Sequence, residues 1–511
     1  MNLSFFRGAA GVVAAMMIGG VLAPAANGAE TSGVHYYLDC AGGDDAAAGT
    51  AAATAWRTLA KASTVTFGPG DSLSLRKGTT CSGVLTPHGS GTAAAPIVLN
   101  SYGSAAARPK VAGTGARATI YLHNVQGYEI RGLEVTNPGP ANANPRTGIY
   151  VENTDYGKGS HYVVDNTYVH DVVSCDCTNP GQPGGGIVFN ADGAATLTSF
   201  SDIKVTNNTL SAVDGIGIGT SSLWARRQVY PEGPGTAFGP ITDVLVQGNT
   251  LTNLGGDGIN VANGVDALIQ QNEVNGFGLR ATTDHAGIWA WNSDRTIVQY
   301  NEVGGGDAGP FGAFAFDVDG GNLGTLYQYN YSHDNSGFML LCAVPGLFST
   351  GQSVRYNISQ NDRDVSGGAI ILACASQTNV SIYNNVFYEP NTTTMLTNLS
   401  GNAVDFTNNI FSGKPGGSAF SDSHGVFSHN LYQNIATVPA GDTSAKIGDP
   451  QFTAPGTANS RATATGYRLK TGSQAYLTGT GVLDNGGKDY FGNSTSPCYS
   501  SIGAYQGPEV P

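Results

Sequence analysis

One phrase recurs ten times between residues 166 and 430: an apolar or aromatic residue, an asparagine, then a pair of β-forming residues. It reads VVDNTYV around Asn166, VTNNTL at Asn208, VQGNTL at Asn249, IQQNEV at Asn272, VQYNEV at Asn301, YQYNYS at Asn330, VRYNIS at Asn357, IYNNVF at Asn385, FTNNIF at Asn409 and FSHNLY at Asn430. From Asn249 onward the copies stand 21 to 29 residues apart, the length of one supersecondary unit in a solenoid. Units this short bury their apolar faces only by stacking, so equivalent positions of successive copies become neighbours. The asparagines themselves read as structural, because a stacked amide donates and accepts along the row and satisfies backbone groups at the turns.

After each asparagine phrase comes a glycine-containing turn and a second short strand: GIGIG at Gly215, GINVA at Gly258, GIWAW at Gly287, AFAFD at Ala313, GFMLL at Gly337 and GAIIL at Gly368. Two or three short strands per repeat, with almost no helical periodicity, specify parallel β-coils. Strict alternation predicts an inward set of Ile216, Ile218, Ile259, Val261, Ile288, Ala290, Phe314, Phe316, Phe338 and Leu340. The opposite parity is then outward: Gly217, Gly219, Asn260, Ala262, Trp289, Trp291, Ala315, Asp317, Met339 and Leu341. Two outward indoles beside an aspartate suggest a platform for sugar rings.

Long insertions border this strip, TSSLWARRQVYPEGPGTAFGPIT after Gly219 and GFGLRATTDHA after Asn275. Loops on one side of a solenoid mark its binding face. They are expected to raise walls bearing Trp224, Arg226, Arg227, Tyr230, Glu232, Arg280, Asp284 and His285.

The chain as a whole resembles the right-handed parallel β-helix proteins of the pectin-lyase-like superfamily. The resemblance rests on the opening stretch DDAAAGTAAATAWRTLAKASTVTFGPGDSLSLRKGTTCSG and on the ending GYRLKTGSQAYLTGTGVLDNGGKDYFGN with SIGAYQG. It implies an all-β fold, a right-handed parallel β-helix solenoid with an N-terminal cap and a small C-terminal β extension. The predicted divisions are a secretory leader over 1–29, a cap and first coil over 30–110, a groove-bearing β-helix over 111–435 and a capping segment over 436–511. The superfamily includes hydrolases, lyases, esterases and binding proteins, so fold alone does not name a reaction. The Asp-Asp and Gly-His-Gly phrases of polygalacturonases are absent, and no catalytic residue is carried over.

Residues 1–29 carry one charge, Arg7, before the apolar run Gly8–Ala23, as a leader cleaved near Ala25 or Ala29 would. Its removal shifts the net charge from −13 to −14, which disfavours nucleic acid or an anionic membrane as partner. The expectation is a secreted, extracellular monomer acting on a polysaccharide or oligosaccharide. Seven cysteines in an oxidising compartment leave at least one unpaired. A Cys40–Cys81 disulfide would staple the amino-terminal cap, while Cys342 and Cys374 are either a bridge or stacked thiols.

The sharpest chemical signal is Phe316-Asp317-Val318-Asp319-Gly320. Residues i and i+2 of a strand share a face with Cα atoms about 6.6 Å apart, at the low end of the carboxyl separation of inverting glycosidases; a DxDG turn or a Ca²⁺ loop is the alternative. Asp214 and Asp257 precede exposed strands and are further catalytic candidates, as are Asp284 and His285, where the imidazole would tune or share a carboxyl proton. Asn260, Trp289, Trp291, Trp224, Arg226, Arg280 and His333 are the substrate-binding candidates. His333-Asp334 stands at the same offset from its asparagine as His170-Asp171 does from Asn166, which favours a recurring turn. The leading expectation is a glycoside hydrolase with paired Asp as acid and base, with no cofactor or metal required and Ca²⁺ left open. A polysaccharide lyase with an Arg or Lys base (Lys204, Arg226, Arg227 or Arg280) and Ca²⁺ is the second reading, and a non-catalytic carbohydrate-binding solenoid the third.

Overall fold

A computed structural model describes residues 33–140, 144–176, 182–341, 347–373 and 376–511. One coil illustrates the rest. Strands Ile241–Gln247, Thr250–Leu254 and Ile259–Ala262 pair in parallel with Leu268–Gln270, Glu273–Asn275 and His285–Trp291 of the next coil. Repetition of this pattern builds three long parallel sheets, the right-handed β-helix that the sequence led us to expect. Coiling begins with His35–Leu38, and the Cys40–Cys81 disulfide ties the first turns together. Cys175 is also disulfide-bonded and Cys498 is free and exposed; Cys342 and Cys374 lie outside the described residues. Among the described residues no helix is long and apolar enough to cross a membrane.

The asparagine row stands at the bend between the first and second strands. From Asn208 through Asn249, Asn272, Asn301, Asn330, Asn357, Asn385 and Asn409 to Asn430, each Nδ2 donates to the Oδ1 of the next at 2.9–3.1 Å. Each amide also donates to a backbone carbonyl of the preceding coil, as Asn301 does to Ile269 O at 3.0 Å. Asp442 closes the row, accepting from Asn430 Nδ2 at 2.9 Å. Asn166 is not a member. It is exposed with φ 50°, the left-handed residue before the bend, and Thr167 takes the inward place, its N–H donating to Asn208 Oδ1 at 2.9 Å. The VVDNTYV phrase is thus offset by one residue: Asn166 matches Asn207, φ 54°, rather than Asn208.

Alternation in the groove-bearing sheet is broken once per coil. Ile218, Ile259, Ile288, Phe316 and Met339 are in register and buried in the stack. The residue before each also points inward: a Cβ on Gly217 would meet Leu251 and Leu254, and Ala315 and Phe338 are core. Two successive inward residues form a corner where the coil bends, which reverses parity on its amino-terminal side. Ile216 and Phe314, expected inside, therefore face the groove, while Gly217 and Ala315 do not. In Gly337–Leu341 the corner falls at Phe338 and Met339, in register with Ala315 and Phe316, so Leu340 faces out and Met339 and Leu341 in. Each fully buried Ile, Leu or Phe contributes roughly 1.5–3 kcal/mol, which makes the inward column the main driving force for stacking.

The carboxy-terminal segment adds one strand, Lys446–Ile447, to the end of the stack. It then folds back along the outside of a sheet, packing Phe452, Tyr467, Leu469, Tyr490 and Ile502 on Tyr331, Ile358, Val386, Ile410 and Leu431.

Candidate active site

Beyond the corner, alternation resumes and lays two outward rows side by side. One runs Gly219, Asn260, Trp289, Asp317, Leu340 in direct register. The other runs Ser221, Ala262, Trp291, and Asp319 follows as the next outward residue after the Ala290–Val318 pair. Both aspartates thus sit one coil from the two indoles. The rows floor a cavity of about 370 Å³ whose wall includes Asp176, Tyr230, Asp257, Asp284, His285 and Leu347. The hairpin 224–239 holds Tyr230 edge-on to Trp291, with ring centroids 5.2 Å apart. Val229 O accepts from Phe348 N at 2.9 Å, tying this wall to the segment beside Leu347.

Three polar atoms of the first row are buried without a partner: Asn260 Oδ1, Trp289 Nε1 and Asp317 Oδ1. Burial holds the Asp317 carboxyl well above the usual range, reinforced by Asp319, Asp257 and Asp284. Asp319 is also raised by burial and by Asp257, against the Gly320 N–H that donates to its Oδ1. Both side chains keep some exposed surface, but they lie at the bottom of an enclosure ringed by other acids, and desolvation dominates. Ionising both at once is unfavourable, so the pair holds a proton near neutrality. Tyr230 is raised as well, by burial and then by Asp319.

His285 opens the strand His285–Trp291, and its ring turns away from Asp284. Its Nδ1 lies 3.1 Å from Asp257 Oδ1 and its Nε2 2.9 Å from Asp176 Oδ1, the latter an ion pair off the line of an aligned hydrogen bond. Burial pulls the imidazole down, but Asp257 and Asp176 push it up to about 10. Burial likewise opposes the ionisation of Asp176, yet His285 and Thr282 bring it down to about 2. Asp284 instead accepts from Gly312 N at 2.6 Å. The expected Asp284–His285 proton sharing is replaced by an Asp176–His285–Asp257 arrangement. Neighbours on an extended chain point opposite ways, whereas Asp257 and His285 project from adjacent coils.

Five other expected site residues lie off the cavity. Asp214 Oδ1 pairs with Arg280 Nε at 2.5 Å, and Arg280 also binds Asn253, so this pair braces a bend. Trp224 is buried, its Nε1 donating to Asp192 O at 3.1 Å. Arg226 donates to Gly233 O at 3.0 Å within its own hairpin. His333 lies on a different sheet between Asp334 and Glu302, repeating the His170 pairing with Asp171 and Glu134. The recurring offset marked a recurring surface contact. Arg227 is spent on Asn292, Asp294 and Gly321 O, and Lys204 on Asp202. No Arg or Lys lines the cavity among the described residues, nor is any set of three or more His, Cys, Asp or Glu among them placed to hold a metal ion.

The residue missed outright is Asp176. It stands in a Cys-Asp-Cys stretch between repeats, and its only hint was an acid in a long insertion on the side where the 276–286 insertion also lies. Ile216, Phe314, Leu340 and Leu347 were missed as apolar wall because parity or loop path put them elsewhere.

Comparison with known proteins agrees with this architecture. Residues 185–387 match the model of the right handed beta helix region. A lacto-N-biosidase of Bifidobacterium longum subsp. longum is 28% identical over 88% of this chain and 33% of its own length, so the chain spans about a third of that relative. The crystal structure of a GH136 lacto-N-biosidase from Eubacterium ramulus superposes with a TM-score of 0.63 at 22% identity, covering 78% of this chain and 68% of that one. XylC in complex with xylose superposes with a TM-score of 0.54 at 12% identity over 93% and 98% of the two chains. The protein has the right-handed parallel β-helix fold.

Proposed function

We propose that the protein is an extracellular glycoside hydrolase that cleaves an oligosaccharide or polysaccharide in this cavity. The observation that carries the reading is the placement of Asp317 and Asp319 on one outward face, in the rows that also hold Trp289 and Trp291. Asp317, whose carboxyl is raised by burial and by three neighbouring acids and keeps an unpartnered oxygen, is the general acid that protonates the leaving glycosidic oxygen. Asp319, ionised and steadied by the Gly320 N–H, is the second carboxylate at the anomeric centre. The transition state is oxocarbenium-like, and a wall bearing Asp284 favours its positive charge. The indoles supply apolar faces for sugar rings, and the free Trp289 Nε1–H and Asn260 Oδ1 supply one donor and one acceptor for hydroxyls.

The acidic lining, with its arginines and Lys204 engaged elsewhere, favours this reading over a lyase with a basic catalytic residue. The likeness to a lacto-N-biosidase makes lacto-N-biosides the first substrates to try. Action outside the cell accords with the leader-like opening residues and the Cys40–Cys81 disulfide.

The test is release of a new reducing end from aryl lacto-N-biosides and a glycan panel, with and without added Ca²⁺. Turnover by the wild type and its loss in Asp317→Asn and Asp319→Asn variants of normal fold are expected. Full activity in both variants, or an unsaturated product end group, would defeat the reading.

A further inference from the structure

The Asp176–His285–Asp257 group is used by neither step above, yet all three residues line the same cavity as Asp317 and Asp319. Its parts come from three places: the stretch after strand Tyr168–Val172, the turn before Ile259–Ala262, and the first residue of His285–Trp291. The His285 side chain is 2% exposed, with a carboxylate oxygen about 3 Å from each ring nitrogen. A neutral imidazole has one N–H, so its other nitrogen would set a lone pair against a carboxylate; two N–H groups fit both contacts. The carboxylates are anchored in turn. Asp257 Oδ1 accepts from Ala286 N at 2.9 Å, and Asp176 Oδ2 accepts from Thr282 N and Oγ1 at 2.7 Å each.

The group therefore carries two negative charges and one positive, held by backbone and by burial. Asp257 presents its charge to the Asp317–Asp319 pair along the cavity from two coils away. The other titratable groups facing the pair are Asp284 on the wall, Tyr230 on the hairpin and Tyr327, whose hydroxyl donates to Asp317 O at 2.7 Å. None of these is a cation.

We propose that Asp176, His285 and Asp257 form a positioning clamp whose fixed net charge of about −1 keeps a proton on the Asp317–Asp319 pair at neutral pH. The clamp touches neither leaving group nor water. It rests on the hydrolase reading for its purpose, but its charge effect is measurable without turnover. Removing one carboxylate charge takes the clamp to about zero and lets the pair ionise at lower pH. Removing the imidazolium takes it toward −2 and moves ionisation the other way.

Trp289 is in register with Asp317, so the tryptophan fluorescence of the full chain, titrated with alkali, reports ionisation of the pair; D317N identifies that transition by abolishing it. In D257N and in D176N the transition is expected to move to lower pH by about one unit, and in H285Q to higher pH. If a glycan substrate is found, the alkaline limb of kcat/KM should move in the same directions with the carboxamide variants still active. Should H285Q fail to fold, the two Asn variants carry the test. An unmoved transition in both D257N and D176N would overturn the clamp, and so would loss of turnover in D257N as complete as in D317N, which would make Asp257 a reacting group. A wild type inert toward every glycan, but with the transition moved as expected, would defeat the hydrolase reading and support the clamp.

Discussion

Two polar rows run along this solenoid, and they differ in how their atoms are satisfied. In the asparagine row from Asn208 to Asn430 every side-chain amide donates both to a neighbour's oxygen and to a backbone carbonyl. In the cavity row Asn260 Oδ1, Trp289 Nε1 and Asp317 Oδ1 are as buried and have no partner. An unpaired buried polar group costs roughly 1–3 kcal/mol. A row that meets this cost at three successive coils is shaped for something other than stability, and a ligand rich in hydroxyls would satisfy it.

The two rows should respond oppositely to substitution. The largest effect is expected at Asp317: the Asn variant should lose roughly 10²–10⁴-fold in kcat, while its unfolding midpoint stays or rises because a desolvated ionisable group is gone. In the satisfied row, Asn301→Ala removes the acceptor of Asn272 N and of one Asn272 Nδ2 hydrogen and the side-chain donor to Ile269 O, and should cost about 3 kcal/mol in denaturant unfolding. Trp289→Phe keeps a ring and removes the N–H; we expect KM to rise about tenfold with kcat little changed, as for one lost hydrogen bond.

A smaller effect separates satisfied from unsatisfied carboxyls. Glu389 is fully buried, shares Ser359 with Asp362 and leaves Oε2 unpartnered. Burial, and then Asp362, raise it well above the usual carboxylate range. Its folded form is thus protonated where the unfolded chain is ionised, and this contribution to stability declines as pH rises above the ordinary glutamate value. Glu389→Gln should flatten the fall in unfolding midpoint between pH 5 and pH 8. The smallest effect is expected at Asn166→Ala, about 1 kcal/mol for an alanine in left-handed backbone, since that asparagine is exposed and outside the row; a loss like that of Asn301→Ala would restore it to the row.

Much of this was legible beforehand because it is periodic. The asparagine phrase set the coil length, and the apolar strands set which side is buried for seven of the ten positions expected inside: Ile218, Ile259, Val261, Ile288, Ala290, Phe316 and Phe338. Asn260, Trp289, Trp291, Asp257, Asp284, His285, Asp317 and Asp319 were named from the sequence and meet in one cavity. Strict alternation failed at Ile216, Phe314 and Leu340, because a strand that turns a corner spends two residues on one side and the pattern of apolar residues does not mark where. Asp214, Arg280, Arg226, Trp224 and His333 were chosen for their residue type near a turn or in an insertion, and each found a local partner.

Repetition carries its own structural instruction: a residue type that returns at each coil has the same neighbours above and below, so stacking, the buried column, the asparagine row and the juxtaposition of indoles with the Asp317–Asp319 pair follow from the chain alone. Insertions do not repeat. Asp176 reaches His285 across more than 100 residues, and Tyr230 reaches Trp291 across 61, through loop paths set by packing rather than by period. The groove was therefore written in the sequence, whereas its enclosure, its charge and the partner of its histidine were decided only when the loops folded over it.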